Sequence, residues 1–342
     1  MSAQYIIHKK NLIEKLNTYG EKCQIFYPIK SNSNSKVIKI IDSYVKGYEV
    51  DSICHLYDLV FRYKVNPNRI IFNTALKSIE TLTKAIKWGV TKFVIDSVFD
   101  LNNLVSINSD AALTFLIRVD PSEFLTHTEL LKWGASLDEI TKLKAIISDT
   151  KHNFVGYSFY IPQEVNSIDN IKHVIYSLVN NVDFSDCKIL DIGGGIPDEA
   201  INDIVESTER VCGNIMPIII VEPGRHLLDP CIDLSVTVLA IRFKQGKKLV
   251  FIDSGIYDGL IDAKIKSKHF EIITKDSNYG NEKEECIICG NSADISDNLG
   301  RYILPIDLKV GDNLLILNCG AYCSEMKTNF CKNKRANYIV DS

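Results

Sequence analysis

The stretch KILDIGGGIPDEAINDIVESTERVCGNIMPIIIVEPGR, residues 188–225, holds the pattern that decides the fold. A β-branched run, Lys188–Ile192, leads into a glycine-rich turn; a helical interval follows, and a second run, Ile218–Val221, ends on Glu222-Pro-Gly-Arg225. Strand, helix and strand in that order make the two strands parallel, because a crossover of a dozen or more residues is needed to bring the chain back to the same end of a sheet. The pattern repeats upstream. Runs at Gln24–Ile29, Gly47–Asp51, Arg69–Phe72, Lys92–Asp96, Ala112–Val119 and Phe154–Phe159 alternate with segments such as Ser35–Tyr44, Ile79–Trp88, Ser136–Ile147 and Ile168–Asn180. In those segments apolar residues fall three and four apart, the helical period. Eight strands with helical intervals over roughly 220 residues fit a closed barrel better than an open, doubly wound sheet.

After Pro230 the texture changes. Short alternating runs at Ile232–Phe243, Lys248–Ile252, Phe270–Thr274, Glu285–Ile288, Asn313–Leu317 and Ala336–Val340 are separated by turn-type residues, with no helical pattern of length. The expected fold class is α/β: a (β/α)8 TIM barrel over residues 11–230, followed by a C-terminal antiparallel β domain. That second domain, a sandwich or small barrel, covers 231–342 and takes in a strand from residues 1–10.

Composition narrows the function. The 342 residues are 46% hydrophobic and 24% charged, with a formal net charge of −4. That balance supports a sizeable core and gives no basic footprint for nucleic acid. No run approaches the roughly 18 apolar residues that span a bilayer. The longest, Ile215–Val221, is interrupted by Pro217, and the N-terminus lacks a secretory pattern. The expectation is a cytoplasmic protein with no nucleic-acid or membrane partner. Ten cysteines are scattered along the chain. Only Cys286-Ile-Ile-Cys289 has metal-type spacing, and it lies in an apolar strand, where residues three apart face opposite sides. No metal site is expected.

In a barrel of this kind, reactive groups belong at the C-terminal ends of the strands. The polar residues that stand out fall there. Lys30 closes the first run in Phe26-Tyr-Pro-Ile-Lys30-Ser-Asn32; a solvated loop lysine is its ordinary reading. Asp191-Ile-Gly193-Gly194-Gly195-Ile-Pro197 brings backbone N–H groups where no Cβ blocks an anion, though a structural turn explains it equally well, and the spacing does not fit the dinucleotide fingerprint. Glu222 and Arg225 flank a rigid Pro-Gly turn and could serve two parts of one charged ligand. Gly320-Ala-Tyr322 follows an apolar strand. A lysine, an anion cradle, an arginine, an acid and a tyrosine together suit a phosphorylated aldehyde held as a Schiff base.

The order of these motifs resembles the fold-type III pyridoxal-phosphate decarboxylases, with their alanine racemase-like fold: the ornithine, diaminopimelate and carboxynorspermidine decarboxylases. The resemblance also rests on Gly47-Tyr-Glu-Val-Asp-Ser52, Asp96-Ser97, Leu116-Ile-Arg118-Val and Lys132-Trp-Gly-Ala-Ser136, and runs nearly end to end. It implies pyridoxal 5′-phosphate as cofactor, with Lys30 forming the Schiff base. Gly193, Gly194, Gly195, Gly224, Arg225 and Tyr322 would hold the phosphate. Glu222 would pair with the pyridine nitrogen and keep it protonated, which favours decarboxylation over the racemisation of the fold's other branch. The family's head-to-tail homodimers share active sites, and Gly290-Asn-Ser-Ala293-Asp294-Ile-Ser-Asp297 resembles the lent segment. Asp294 would read the far end of the substrate in the partner chain, and Asp297 would support the interface.

Two positions depart from the family pattern. Ala293 stands where the family has a proton-returning cysteine, and Cys289 would replace it only after a local shift in register. Tyr160, in Ser158-Phe-Tyr160, stands where the family stacks a histidine on the cofactor ring, so Tyr160 joins Lys30 and Glu222 as a catalytic candidate. The resemblance therefore implies an amino acid decarboxylase for an unusual substrate, such as a diamino acid or an aminocarboxypropyl group in siderophore or microcin C-like assembly. An inactive, regulatory homologue or a racemase of the same fold are the alternatives.

Overall fold

The computed structural model describes residues 3–74, 77–125, 132–162, 165–275, 279–330 and 336–341. The chain divides into two compact units. One comprises Lys15–Lys30 and Ile41–His226; the other comprises Met1–Glu14, Ser31–Ile40 and Leu227–Ser342.

Strand β1, Gln4–His8, belongs to the second unit. The first unit is built on β2 (Gln24–Pro28), β3 (Gly47–Val50), β4 (Ile70–Phe72), β5 (Lys92–Ile95), β6 (Thr114–Arg118), β7 (Asn153–Ser158), β8 (Ile189–Asp191) and β9 (Ile218–Val221). Each pairs in parallel with the next, and β2 pairs with β9, which closes the barrel. Phe26, Ile71, Val94, Leu116 and Ile220 form a buried cluster contributed by five of these strands. Close packing fixes Gly47, because a Cβ there would lie 2.1 Å from the Arg69 carbonyl oxygen and 2.5 Å from the Phe26 ring.

Serine starts several of the connecting helices. Ser52, Ser78, Ser97, Ser136 and Ser167 each accept a hydrogen bond from a first-turn N–H. Ser136 and Glu139 complete a reciprocal capping box. Each cap contributes about 1 kcal/mol and fixes where the chain leaves the rim.

The second unit is a mixed sheet of β1, β10 (Ile232–Lys244), β11 (Lys247–Ile252), β12 (Ile272–Thr274), β13 (Lys283–Cys289), β14 (Asn298–Pro305), β15 (Asn313–Ile316) and β16 (Asn337–Asp341). Most pairs are antiparallel; β1 with β16 and β11 with β13 are parallel. The long β10 changes partners along its length. Ile232–Thr237 pair with β1 and β15, and Val238–Lys244 with β11, across a register shift between Val238 and Ala240. Strand β14 has no counterpart among the expected runs. Gly300, with φ of +101°, and Arg301 interrupt its alternation, and Pro305 ends it.

Candidate active site

Lys30 occupies the 3-10 turn Ile29–Ser31 that closes β2. Glu49 lies in β3 and Asp51 just beyond it, Arg118 ends β6, Asp191 ends β8, and Glu222 follows β9. Because β8, β9, β2 and β3 are consecutive around the barrel, Asp191, Glu222, Lys30 and Glu49 share one arc of its C-terminal rim.

The distances within this arc are those of an ion-pair network. Lys30 Nζ donates to Glu49 Oε2 at 3.0 Å and Oε1 at 3.2 Å, and stands 3.8 Å from Asp51 Oδ2. Asp51 Oδ1 lies 3.2 Å from His55 Nδ1, one helical turn on. The Asp191 carboxylate accepts from Gly193 N at 2.9 Å through Oδ1, and the Glu222 carboxyl lies within hydrogen-bond reach of it.

Charge in this arc is out of balance. Four carboxyls, Glu49, Asp51, Asp191 and Glu222, face the cations Lys30 and Arg118. Burial leads in pushing Glu49 up to about 7, with Glu222 and Asp51 adding to it and Lys30 opposing. Burial likewise raises Asp191 to about 6, against the Gly193 hydrogen bond and the Arg118 charge. Burial and then Asp191 hold the Glu222 carboxyl well above the usual range. Burial alone would lower Lys30, but Glu49, Glu222 and Asp51 hold it above the ordinary lysine value. The rim thus keeps protons on buried carboxyls because it lacks cationic partners for them.

The glycine turn stands beside this arc. Gly193 and Gly195 have φ of +68° and +81°, the region where side chains are strained. A Cβ at Gly194 would lie 2.5 Å from the Glu222 carbonyl oxygen, and one at Gly193 would lie 2.7 Å from the Phe159 carbonyl oxygen and 3.6 Å from Tyr160 Cα. Among the described residues, no acceptor meets the N–H groups of Gly194 and Gly195. Tyr160, 42% exposed, therefore lies beside the turn. Gly224 is buried just after β9, and Arg225 opens the short helix Arg225–Leu228.

Tyr322 and Asp294 belong to the second unit. Tyr322 has φ of +65°, and its N–H donates at 2.7 Å to the carbonyl of Ser31, the residue after Lys30 in sequence. The side chain of Asn32 donates to the Gly320 carbonyl at 2.9 Å, so Gly320-Ala-Tyr322 is tied to Ser31 and Asn32 of the same unit. Asp294 bonds Ser296 N at 2.7 Å on a turn whose Ile295 is 95% exposed. Asp297 does not present its carboxylate outward. Its Oδ1 accepts from Ile256 N at 2.8 Å and Oδ2 from Ser292 N at 3.0 Å within the same unit. Cys289 remains in β13, opposite Phe251 and Asn298, whereas Ala293 is exposed on the turn. Cys286 is buried and Cys289 only partly so, and both carry strand geometry.

Reasoning from motifs missed Glu49, Asp51, His55 and the arc role of Asp191. A signal was present: Glu49 is an acid inside a four-residue strand that is otherwise Gly, Tyr and Val, and all four positions are buried. A buried charge on an apolar strand calls for a nearby partner.

The site fits a group with an N–H cation at one end and a phosphate at the other. The adjoining Asp191 and Glu222 carboxyls and the wider carboxyl excess favour a cation, and the N–H groups of the glycine turn are available to an anion. A closed barrel with a rim lysine and such a cradle suits enzymes that hold a phosphorylated aldehyde. Residues 5–229 match the family model "Pyridoxal-dependent decarboxylase, pyridoxal binding domain", and the chain belongs to that family. Its cofactor is pyridoxal 5′-phosphate, and it is a carboxy-lyase of the amino acid decarboxylase type. The chain is 26% identical over 323 residues to ornithine decarboxylase of Schizosaccharomyces pombe, covering 88% of this chain and 74% of that one. It is 24% identical over 336 residues to antizyme inhibitor 2 of Xenopus laevis, covering 89% and 73%. Among solved structures, the arginine decarboxylase of Paramecium bursaria Chlorella virus superposes with a TM-score of 0.87 at 21% identity, covering 100% of this chain and 97% of that one. No helix among the described residues is long and apolar enough to cross a membrane.

Proposed function

We propose that the chain removes the α-carboxylate from a diamino acid or from an aminocarboxypropyl group carried on a larger molecule, as a cytoplasmic homodimer with shared active sites. The observation that carries this reading is the arc of Lys30, Glu49, Asp191 and Glu222 on four adjacent strands, with the adjoining Asp191 and Glu222 carboxyls short of a cation.

When bound, pyridoxal 5′-phosphate supplies an aldehyde carbon for the amine and a ring that takes up the electron pair left as carbon dioxide departs. Lys30 Nζ would hold the aldehyde end. Glu222, beside Asp191, would keep a proton on the ring nitrogen. Gly193, Gly194, Gly195, Gly224, Arg225 and Tyr322 would hold the phosphate, and Tyr160 would flank the ring. Asp294 of a second copy would recognise a distal cation. Siderophore and microcin C-like peptide-nucleotide assembly are settings in which such a substrate would arise.

Reconstituted protein should show an absorbance band near the visible edge that borohydride abolishes and Lys30→Ala lacks. Carbon dioxide release should then be measured with diamino acids of increasing length and with an aminocarboxypropyl nucleotide. Loss of chirality without carbon dioxide would convert the reading to racemisation. Failure to bind cofactor at saturating concentration would leave a regulatory role, the reading favoured by the antizyme inhibitor among the relatives and by Ala293.

A further inference from the structure

We infer that Asp51 and His55 form a proton relay to Lys30, so that this chain refills its own proton donor at a site where the lent segment offers only Ala293. The inference rests on Lys30 being the cofactor lysine.

Loss of carbon dioxide breaks a C–C bond and leaves an electron pair on the substrate carbon. A C–H bond must form there, and the proton must come from a group that can be recharged. Lys30 Nζ is such a donor: it gives up one proton as the C–H bond forms and is left a neutral amine. Recharging needs a route to water, and the Lys30 side chain, 36% exposed in the unliganded rim, would lose its open face to the cofactor and substrate it holds. Glu49 touches Lys30 at 3.0 Å but is 0% exposed, so it has no solvent from which to reload. The Asp51 and His55 side chains are 33% and 24% exposed. A proton on His55 Nδ1 faces Asp51 Oδ1 at 3.2 Å, and Asp51 Oδ2 faces Lys30 Nζ at 3.8 Å. Transfer from Nδ1 to Oδ1 makes Asp51 neutral, a half-turn of its carboxyl about Cβ–Cγ carries that same proton to the Lys30 side and closes the 3.8 Å gap, and its transfer to Nζ restores the ammonium and the Asp51 anion; His55 regains its proton from water.

The local structure is arranged for this. Ser52 caps the helix Ile53–Tyr57 by accepting from His55 N at 3.2 Å, which sets His55 one turn above Asp51. Burial works to raise Asp51, yet the His55 hydrogen bond and the Lys30 charge hold it below its ordinary value, so it waits as the anion between the Lys30 ammonium and the His55 imidazole. The other charged groups facing Lys30 are Glu49 and Glu222. Nearby on the helical side, Asp58 is paired with Arg62 at 3.0 Å and Lys84 with Glu80 at 2.7 Å.

Asp51 and His55 act through Lys30, and three measurements test that role. Borohydride trapping followed by peptide mass should find cofactor on Lys30 in wild type, Asp51→Asn and His55→Gln alike. Its absence from wild type would sink the cofactor reading, and the second measurement would still stand because it uses apoprotein. There, the titration midpoint of the His55 imidazole, followed by NMR, should fall by about half a unit or more in Asp51→Asn and rise in Lys30→Met. A midpoint unmoved by both would break the connection. In holoenzyme, His55→Ala should lower kcat by about 10- to 100-fold with little change in KM, and added imidazole should restore much of it. Wild-type kcat should fall as pH rises through the His55 titration, because the donor form is then lost, and the variant should lack that limb. An equal loss at every pH with no imidazole rescue would assign His55 a structural role and overturn the relay.

Discussion

Two buried aspartates, one in each compact unit, differ in how their carboxylates are spent. Asp297 is 4% exposed, with one oxygen on Ile256 N and the other on Ser292 N. Its surroundings are shaped to it: a Cβ at Gly255 or Gly290 would come within 2.3 Å or 2.2 Å of its Oδ1. Asp191 is 1% exposed, bonded through one oxygen to Gly193 N and set against a second carboxyl, Glu222. Two carboxyls pressed together out of water without a cation are costly, and a fold keeps that cost where a ligand removes it. The first aspartate holds a turn together; the second is half of a binding site.

The strongest challenge to this contrast is Lys30→Ala. It removes the cation beside Glu49 and Asp51 and should cut carbon dioxide release by on the order of 10³-fold or more. The fold should tolerate it, because Glu49, already pushed up to about 7, can take a proton once its partner is gone. Circular dichroism and melting of the apoprotein check this; collapse would make Lys30 a structural lysine.

The next effect is of pH on the apoprotein. Glu49 and Asp191 have folded values raised to about 7 and about 6. A raised carboxyl contributes stability that is complete below its unfolded value, near 4, and is lost as pH rises through the folded value. Apoprotein should therefore be more stable at pH 5 than at pH 8, by an amount on the order of a few kcal/mol. Asp191→Asn should flatten the dependence. Melting temperatures across that window provide the measurement, and an unchanged Tm would mean the rim carboxyls are solvated. Asp297→Ala sharpens the other side. Two N–H groups lose a charged acceptor, costing about 2–4 kcal/mol with no cofactor dependence.

Much of the barrel was legible because each β-branched run is bounded by a helical interval, and each such run became a strand. β14 was not, since Gly300, Arg301 and Pro305 break the alternation that marks a strand. Lys30, Glu222 and the glycine turn could be read as motifs. The arc that joins them could not, because it depends on β9 closing against β2, a pairing between residues nearly 200 apart in sequence. Asp51 and His55 remained invisible for a different reason: an acid and a histidine four apart at a helix start are ordinary until the pairing of β2 with β3 sets a lysine beside them.

The smallest effect on folding should come from the exposed turn of the second unit. The Asp294 carboxylate bonds Ser296, with Tyr257 adding to it, and those hydrogen bonds hold its carboxyl below the usual range; all lie at the surface, so Asp294→Ala should leave Tm almost unmoved. Its effect belongs to the assembly. If each site combines Lys30 of one chain with Asp294 of another, Asp294→Ala should be poorly active as a pure protein. Co-refolding it with inactive Lys30→Ala would place both defects in one of the two sites of every mixed dimer and leave the other intact. With random pairing half the dimers are mixed, so about a quarter of wild-type activity should return. Activity no greater than the sum of the separate variants would confine each site to a single chain. Asp294 would then be an aspartate that turns its own loop, in the manner of Asp297.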